Sequence, residues 1–292
     1  MDMVHNTLQL KMGKQLLHAE YWQPENPKAT VVLLHGMGEH LGRYKAFVIP
    51  KLTASNYAVL AYDQIGHGET VGKRGHVASY QMLLDCLNKA AIEAKKRNPN
   101  LPVFLYGHSM GGNVVLNYAL KYQSQIKGVI ATSPLLRLAF NPPKWKVALG
   151  RFMLHILPGI TLPSELDASG ISRDKAEVIR YQKDLLIHDK ISPMYSFPVF
   201  DAGEYAIANA DKLNIPTLVC HGTGDKITSW EASKAFTENT KKAALKLFED
   251  GYHELHYDFC KEELMESIIA WLDAKLINEI IEEKKNTSEV KS

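Results

Sequence analysis

The chain of 292 residues is long enough for one large α/β domain with an insertion, or for two small domains. Its hydrophobic fraction of 46% and its charged fraction of 23% are ordinary for a folded globular protein. A formal net charge of +2 argues against a nucleic-acid-binding protein.

The cysteines and the hydropathy pattern bear on the cellular location. Cys86, Cys220 and Cys260 are far apart and odd in number, so the sequence predicts no disulfide framework. We interpret Cys86 and Cys220 as buried free thiols, which fits a reducing compartment. The first residues show no secretory signal, and no apolar stretch of ~18 residues predicts a transmembrane helix. We therefore expect a cytoplasmic protein.

Apolar runs alternate with helical patterns along the chain. Residues 7–22 alternate in polarity around Met12-Gly13-Lys14, which predicts an antiparallel hairpin. Continuous apolar runs, typical of strands buried on both faces, follow at 30–35, 57–62, 103–106, 129–132 and 217–220, and 245–248 is a last candidate strand. Helical spacing is found at 79–97, 113–122, 231–240 and 259–281. This order predicts an α/β fold with a mostly parallel central sheet flanked by helices.

The alternation stops between residues 135 and 209, where prolines divide the chain into short pieces. Some pieces are predicted to be helical, such as 145–157 and 173–183. We interpret 135–209 as an insertion between two strands of a single core formed by 1–134 and 210–282. Residues 283–292 are predicted to form a polar C-terminal tail that frays.

The strongest motif is G-x-S-x-G at residues 107–111, directly after an apolar strand and directly before a helix. This context is typical of a nucleophile elbow, in which a tight turn exposes a serine at the carboxyl end of the sheet. Gly107 and Gly111 leave room for the strained turn. The motif therefore predicts Ser109 as a nucleophile.

A serine nucleophile needs a base, and the base needs an orienting acid. Asp225 follows the strand at 217–220, and His253 follows the strand at 245–248, in the chain order expected for such an elbow. His256 is the rival base, but His253 is closer to the strand end. His253 and His256 have no third ligand at a spacing suited to a metal, so no metal site is expected.

The oxyanion that forms during acyl transfer needs two backbone N–H donors. One is expected to be Met110, the residue after the nucleophile. The other is expected in the glycine-containing loop after the strand at 30–35, where Met37 is the candidate.

Together these motifs resemble those of the monoacylglycerol lipase and lysophospholipase group of α/β-hydrolase-fold serine hydrolases. The resemblance extends over about residues 29–275. The segments that carry it are 35–44 (HGMGEHLGRY), 62–68 (YDQIGHG), 107–112 (GHSMGG), 172–178 (SRDKAEV) and 251–256 (GYHELH). The first of these is much more specific than the elbow alone.

The resemblance implies Ser109, Asp225 and His253 as catalytic triad, Met37 and Met110 as oxyanion donors, and residues 135–209 as a helical cap over the site. It also implies a polar pocket end for a glycerol group, formed by Glu39, Arg43, Tyr181 and His256. An internal salt bridge between Glu39 and Arg43 that only braces the loop is the alternative for that pair.

The expected activity is hydrolysis of a monoacylglycerol to a fatty acid and glycerol through an acyl-enzyme, without a cofactor. A lysophospholipase or a broad carboxylesterase or thioesterase would use the same triad. An acyltransferase or a binding protein on the same fold remains open, although the intact triad argues against the latter.

The cap segment 145–157 is apolar over most of its helical circumference. One row of this predicted helix holds Trp145, Leu149, Phe152 and Ile156. We hypothesise that it docks transiently on membranes as a lid, which would make the protein peripheral to membranes. An ordinary buried cap helix is the alternative.

Overall fold

Eight strands form the central sheet of the computed structural model, which describes residues 3–122 and 126–289. The sheet order is β1-β2-β4-β3-β5-β6-β9-β10, and a two-stranded sheet pairs β7 with β8. The strands are β1 (Val4–Met12), β2 (Gln15–Gln23), β3 (Ala29–Leu34), β4 (Tyr57–Tyr62), β5 (Val103–His108), β6 (Gly128–Thr132), β7 (Leu162–Pro163), β8 (Lys190–Ile191), β9 (Thr217–Gly222) and β10 (Ala243–Phe248).

Helices cover both faces of this sheet. In the described part of the chain they are α1 (Val48–Ala54), α2 (Tyr80–Arg97), α3 (Met110–Lys121), α4 (Lys144–Ile156), α5 (Lys175–Lys183), α6 (Pro193–Ala208), α7 (Trp230–Glu238) and α8 (Lys261–Glu289). Strand β2 pairs antiparallel with both β1 and β4. The remaining strands of this sheet, in the order β4-β3-β5-β6-β9-β10, are parallel to one another. The predicted fold class, a mostly parallel sheet flanked by helices, is confirmed.

Two apolar clusters lie on the two faces of the sheet and hold it between helices. One cluster packs α2, α3 and α6 on the sheet, and the other packs α1 and α8 on the opposite face. All residues of β3, β4, β5 and β6 are buried, which explains why these strands are continuous apolar runs in the sequence. Their carboxyl ends meet at one edge, where the candidate site lies.

The segment between β6 and β9 contains α4, α5, α6 and the small sheet of β7 and β8. It rests on α3 through two asparagine side chains that extend across the interface. Asn113 Nδ2 donates to Val199 O at 3.0 Å, and Asn117 Nδ2 donates to Ala202 O at 3.1 Å. These bonds satisfy carbonyls of α6 and fix that helix above the elbow.

The structure differs from the predicted elements at two points. The prolines of the insertion were expected to break it, but α6 runs past Pro198, and Pro193 occupies the first turn, where a missing N–H costs nothing. Residues 283–289 of the predicted tail are helical, because α8 continues to Glu289. The sequence there is rich in glutamate and lysine, which favour helices, and contains neither glycine nor proline. Residues 290–292 lie outside the described residues.

The hydrophobic face of α4 is open to solvent. None of the residues described for α4 is buried, which contradicts the alternative of an ordinary buried cap helix. Trp145, Leu149, Phe152 and Ile156 are 65%, 52%, 59% and 56% exposed. Within residues 3–122 and 126–289, no helix combines the length and the apolar character needed to cross a membrane.

Candidate active site

Ser109 lies between β5 and α3 in a backbone conformation that few residues adopt. Its φ of 53° and ψ of −115° fall outside the favoured regions for a residue with a side chain, at a cost of about 1–3 kcal/mol. The turn is this tight because its glycines touch backbone: a Cβ at Gly107 would lie 2.3 Å from Gly111 O, and one at Gly111 would lie 2.4 Å from Leu34 O. The strain holds the Ser109 hydroxyl at the open edge of the sheet.

The structure brings the three predicted residues into one hydrogen-bonded chain. The distance from His253 Nε2 to Ser109 Oγ is 2.9 Å, and that from His253 Nδ1 to Asp225 Oδ2 is 2.7 Å. All three side chains are buried, so water competes little for these bonds. The arrangement lets His253 take the proton of Ser109 while Asp225 orients the ring.

The Asp225 carboxylate is held by several donors that the sequence analysis did not identify. Oδ1 accepts the N–H of Ile227 at 2.7 Å and that of Thr228 at 3.0 Å, and Oδ2 lies 3.1 Å from His221 Nε2. Burial alone would raise the pKa of Asp225, but His253, His221 and these donors hold it well below its usual range. Asp225 is therefore ionised at neutral pH.

The same pair determines the basicity of His253. Burial by itself lowers the pKa of His253, but the Asp225 carboxylate, together with the smaller effects of Glu254 and Glu39, raises it, so that the net pKa lies above 6.5. A second contact fixes the loop, since Ser133 Oγ donates to the His253 carbonyl at 2.7 Å. His253 is thus a stronger base than a free imidazole, which suits removal of the serine proton.

Of the two predicted oxyanion donors, Met110 directly follows Ser109 and Met37 lines the cavity into which Ser109 opens. Met110 is the first residue of α3, where the N–H has no partner within the helix, and Met37 is in the loop after β3. Two contacts hold Gly36, the residue before Met37: Gly36 N donates to Glu39 Oε1 at 2.5 Å, and His35 Nδ1 lies 2.7 Å from Gly36 O. A Cβ at Gly36 would lie 3.1 Å from Ser109 Cβ, so this loop passes very close to the nucleophile.

Ser109 and His253 open into a cavity of about 670 Å³ between the sheet edge and the insertion. Much of its wall is apolar and comes from the insertion and the segment after β6. These apolar residues include Leu136, Leu138, Phe140, Val147, Phe197 and Phe200. The cavity is large enough for a lipid-sized ligand and offers it few polar partners along this wall.

The polar wall of the cavity does not contain all four residues predicted for it. Glu39 and Tyr181 line the cavity, and so does Glu254, which the sequence analysis did not single out. Arg43 and His256 are not among the residues that line it. The structure thus places two of the four predicted residues on the cavity surface.

Arg43 lies behind this wall in a tight network. Its Nη2 donates to Glu254 Oε2, and its Nε lies 3.5 Å from Glu39 Oε2. The guanidinium is also packed between the rings of Tyr181 and Tyr257, at 4.9 and 4.7 Å from their centroids. The predicted salt bridge between Glu39 and Arg43 is therefore present, and it is joined by a second carboxylate.

His256 is fully buried on the far side of this network. Neither ring nitrogen has a hydrogen-bond partner among the described residues, and burial lowers the pKa of His256 well below 6.5. The neutral ring stacks on Tyr44 at a centroid distance of 4.9 Å, and Tyr44 OH donates to Glu39 Oε1 at 2.8 Å. His256 thus supports Tyr44, and Tyr44 in turn supports Glu39 at the cavity wall.

The elbow, the ordered base and acid, and the sheet order define a serine hydrolase of the α/β-hydrolase fold. The model of the family described as "Serine aminopeptidase, S33" matches residues 25–259, and the chain belongs to this family.

Relatives and solved structures agree with that assignment. An uncharacterised abhydrolase domain-containing protein of Dictyostelium discoideum is 37% identical over 96% of this chain, which spans 29% of that relative's length. Monoglyceride lipase of Rattus norvegicus is 31% identical, covering 90% of this chain and 88% of the relative. The crystal structure of Paleococcus ferrophilus monoacylglycerol lipase is similar with a TM-score of 0.82, at 35% identity over 89% of this chain and 99% of that chain.

Proposed function

We propose that the protein hydrolyses the ester bond of monoacylglycerols to a fatty acid and glycerol. The observation that carries this proposal is the position of Ser109 in a cavity with a long apolar wall and a compact polar wall. An acyl chain fits the first and a glycerol group fits the second. The monoglyceride lipases among its relatives support the same substrate class.

In the acylation step, Ser109 Oγ attacks the ester carbonyl while His253 Nε2 takes the hydroxyl proton. The carbonyl oxygen gains the negative charge, which the N–H groups of Met37 and Met110 stabilise. His253 then returns the proton to the glycerol oxygen as the ester C–O bond breaks, which leaves an acyl-enzyme and free glycerol.

Deacylation repeats the sequence with water as the nucleophile. His253 takes a proton from the water as its oxygen attacks the acyl carbonyl, and then gives a proton to Ser109 Oγ as it leaves. Asp225 stays ionised throughout and stabilises the charged ring, because its pKa lies far below neutral pH. The fatty acid leaves along the apolar wall.

For the glycerol group we propose Glu39 and Tyr181 as direct partners, since both line the cavity. Arg43 and His256, predicted from the resemblance, act from behind by holding the carboxylates and Tyr44 in place. Lysophospholipids and simple esters are the competing substrates, because the same reacting groups would serve them.

A substrate panel tests the proposal. We expect the purified protein to hydrolyse 1-monoacylglycerols with a preference among acyl lengths, and to hydrolyse a diacylglycerol much more slowly because the polar wall leaves little room for a second chain. Short p-nitrophenyl esters and a lysophospholipid complete the panel. Equal or higher kcat/KM for the lysophospholipid or for the short ester would contradict the proposal.

The proposal extends to the membrane surface, with residues 135–209 as the cap over a core of 1–134 and 210–282. We propose that α4 docks transiently on lipid from the cytoplasm, a location that the free cysteines suit. The cations flanking its apolar row are ion-paired, Lys146 with Glu165 at 2.7 Å and Arg151 with Asp201 at 2.6 Å. Exposed pairs contribute about 0–1 kcal/mol, so lipid phosphates can replace these carboxylates.

Charging the exposed row of α4 tests the docking. Leu149→Glu is expected to weaken liposome binding and to slow turnover of a micellar long-chain monoacylglycerol several-fold, with turnover of a soluble short ester unchanged. Phe152→Glu should behave in the same way. Ile92→Glu is the matched control, because Ile92 is 47% exposed on the core helix α2. Equal loss on both substrates, or a lower Tm, would show misfolding of the cap instead.

A further inference from the structure

The polar wall of the cavity contains a charge arrangement that the resemblance does not explain. Glu39 and Glu254 both line the cavity, and they flank the same guanidinium. The three side chains of Glu39, Glu254 and Arg43 are almost completely buried, at 2%, 3% and 6% exposure. Solvent and salt therefore screen them little.

Protein groups already surround the guanidinium of Arg43 and neutralise its charge. Its Nη2 is bound to Glu254 and its Nε faces Glu39, while Tyr181 and Tyr257 cover the two faces of the guanidinium. A third carboxylate, Glu177 on α5, is buried nearby and disfavours ionisation of Glu254. Glu177 is itself paired with Arg180 at 3.3 Å, so the guanidinium of Arg43 is shared by two carboxylates, Glu39 and Glu254.

The protonation of this cluster reinforces the same point. Burial and the negative charge of Glu254 raise the pKa of Glu39, and Arg43 and the hydrogen bonds from Gly36 and Tyr44 lower it, so that the net pKa is about 7. When Glu39 is protonated, Glu254 still neutralises Arg43. When Glu39 is ionised, the wall has a net negative charge. In neither state does a phosphate group at this wall meet an uncompensated cation; the exposed cations Lys146 and Arg151, which also line the cavity, are on α4.

We propose that Glu254 is a specificity-determining residue. By occupying Arg43, it makes the polar wall accept an uncharged polyol headgroup and reject a headgroup that carries a phosphate. This inference rests on the proposed function and deepens it, since it assigns the site to neutral glycerol esters and not to phosphate-bearing lysolipids. Hydroxyl groups of a polyol can both donate to these carboxylates and accept from Tyr181. A phosphate offers mainly acceptors and would be desolvated beside negative charge.

The experiment compares two soluble substrates that differ only in the phosphate, 1-butyrylglycerol and 1-butyrylglycerol 3-phosphate. Both have the same scissile ester, and at monomeric concentration neither introduces a lipid surface. The ratio of their kcat/KM values is the readout. Like charges at about 7 Å in a partly buried site predict a wild-type preference for the neutral ester on the order of 100-fold.

Glu254→Gln keeps the shape and one acceptor for Arg43 but removes the charge. We expect it to reduce the preference for the neutral ester by about 10-fold or more, because the wall then has one negative charge fewer to repel a phosphate and balance the charge of Arg43. Glu254 adjoins His253, so absolute rates can change with both substrates, and only the ratio reports specificity. Glu249→Gln is the matched control: it removes one exposed glutamate from the same connection after β10 and should leave the ratio unchanged.

Three outcomes would overturn the inference. The first is a wild-type enzyme that hydrolyses both esters within about threefold of each other. The second is a Glu254→Gln variant that slows both substrates in proportion, which would show a purely structural role. If that variant does not fold, Glu39→Gln takes its place. The third outcome is a Glu39→Gln variant whose ratio of kcat/KM values for the two esters equals that of the wild type. An enzyme that hydrolyses p-nitrophenyl butyrate but neither of the two glycerol esters would instead overturn the proposed function itself.

Discussion

Replacing Ser109 with alanine is expected to lower kcat by roughly 10³-fold or more on every ester that the enzyme hydrolyses. The variant loses the hydroxyl oxygen that lies 2.9 Å from His253 Nε2, while the cavity and the backbone of the oxyanion donors are retained. Steady-state kinetics with a short p-nitrophenyl ester measure the loss, since this substrate depends little on the headgroup wall.

Ser55→Ala is a suitable control, because Ser55 ends α1 far from the cavity and its hydroxyl takes no part in the site. It should retain wild-type kcat. If Ser109→Ala kept more than a tenth of the wild-type kcat, another nucleophile would have to be at work.

His253→Ala is expected to reduce the rate of acylation about as severely as Ser109→Ala. The two residues act as a unit, so removal of either one abolishes the contribution of both to kcat. His256→Ala is expected to retain most activity with p-nitrophenyl acetate and to raise KM for a monoacylglycerol. The physical reason is its stacking on Tyr44, which in turn donates to Glu39 at the polar wall.

The Tm of each histidine variant should be measured beside its activity. His256 is fully buried, so its removal leaves a void that can lower the stability of the fold. A folded His256→Ala protein that is inactive on p-nitrophenyl acetate, beside an active His253→Ala protein, would reverse the assignment of the base.

The strands and the elbow could be predicted from the sequence because local pattern and tertiary environment agree there. Strands β3 to β6 are buried throughout, so their apolar runs are unbroken. The elbow needs glycine at fixed offsets from Ser109, and the loops that hold Asp225 and His253 follow strands that were themselves recognisable.

The helices of the insertion were harder to predict, since tertiary packing overrides local preference there. Helix α6 tolerates Pro198 because α3 anchors it through Asn113 and Asn117. The end of α8 was misjudged for the opposite reason, as a polar run was interpreted as frayed although its residues favour a helix.

The polar wall was only partly predictable, because its arrangement depends on contacts between distant residues. Arg43 and Glu254 are 211 positions apart, and no local pattern relates them. The resemblance indicated Arg43 and His256 as pocket residues, whereas the structure places both behind the wall and brings Glu254 to the surface of the cavity. Sequence motifs identify which residues matter more readily than which of them a ligand can touch.

The central claim is that Ser109 is an activated nucleophile in the intact protein. A fluorophosphonate probe tests it most directly, because such a probe reacts with a serine only when a base removes its proton. We expect intact-protein mass spectrometry to show one adduct per chain, and peptide mapping to place it on Ser109, with no labelling of Ser109→Ala or His253→Ala. An unlabelled wild-type protein, or an adduct on any other residue, would contradict the account.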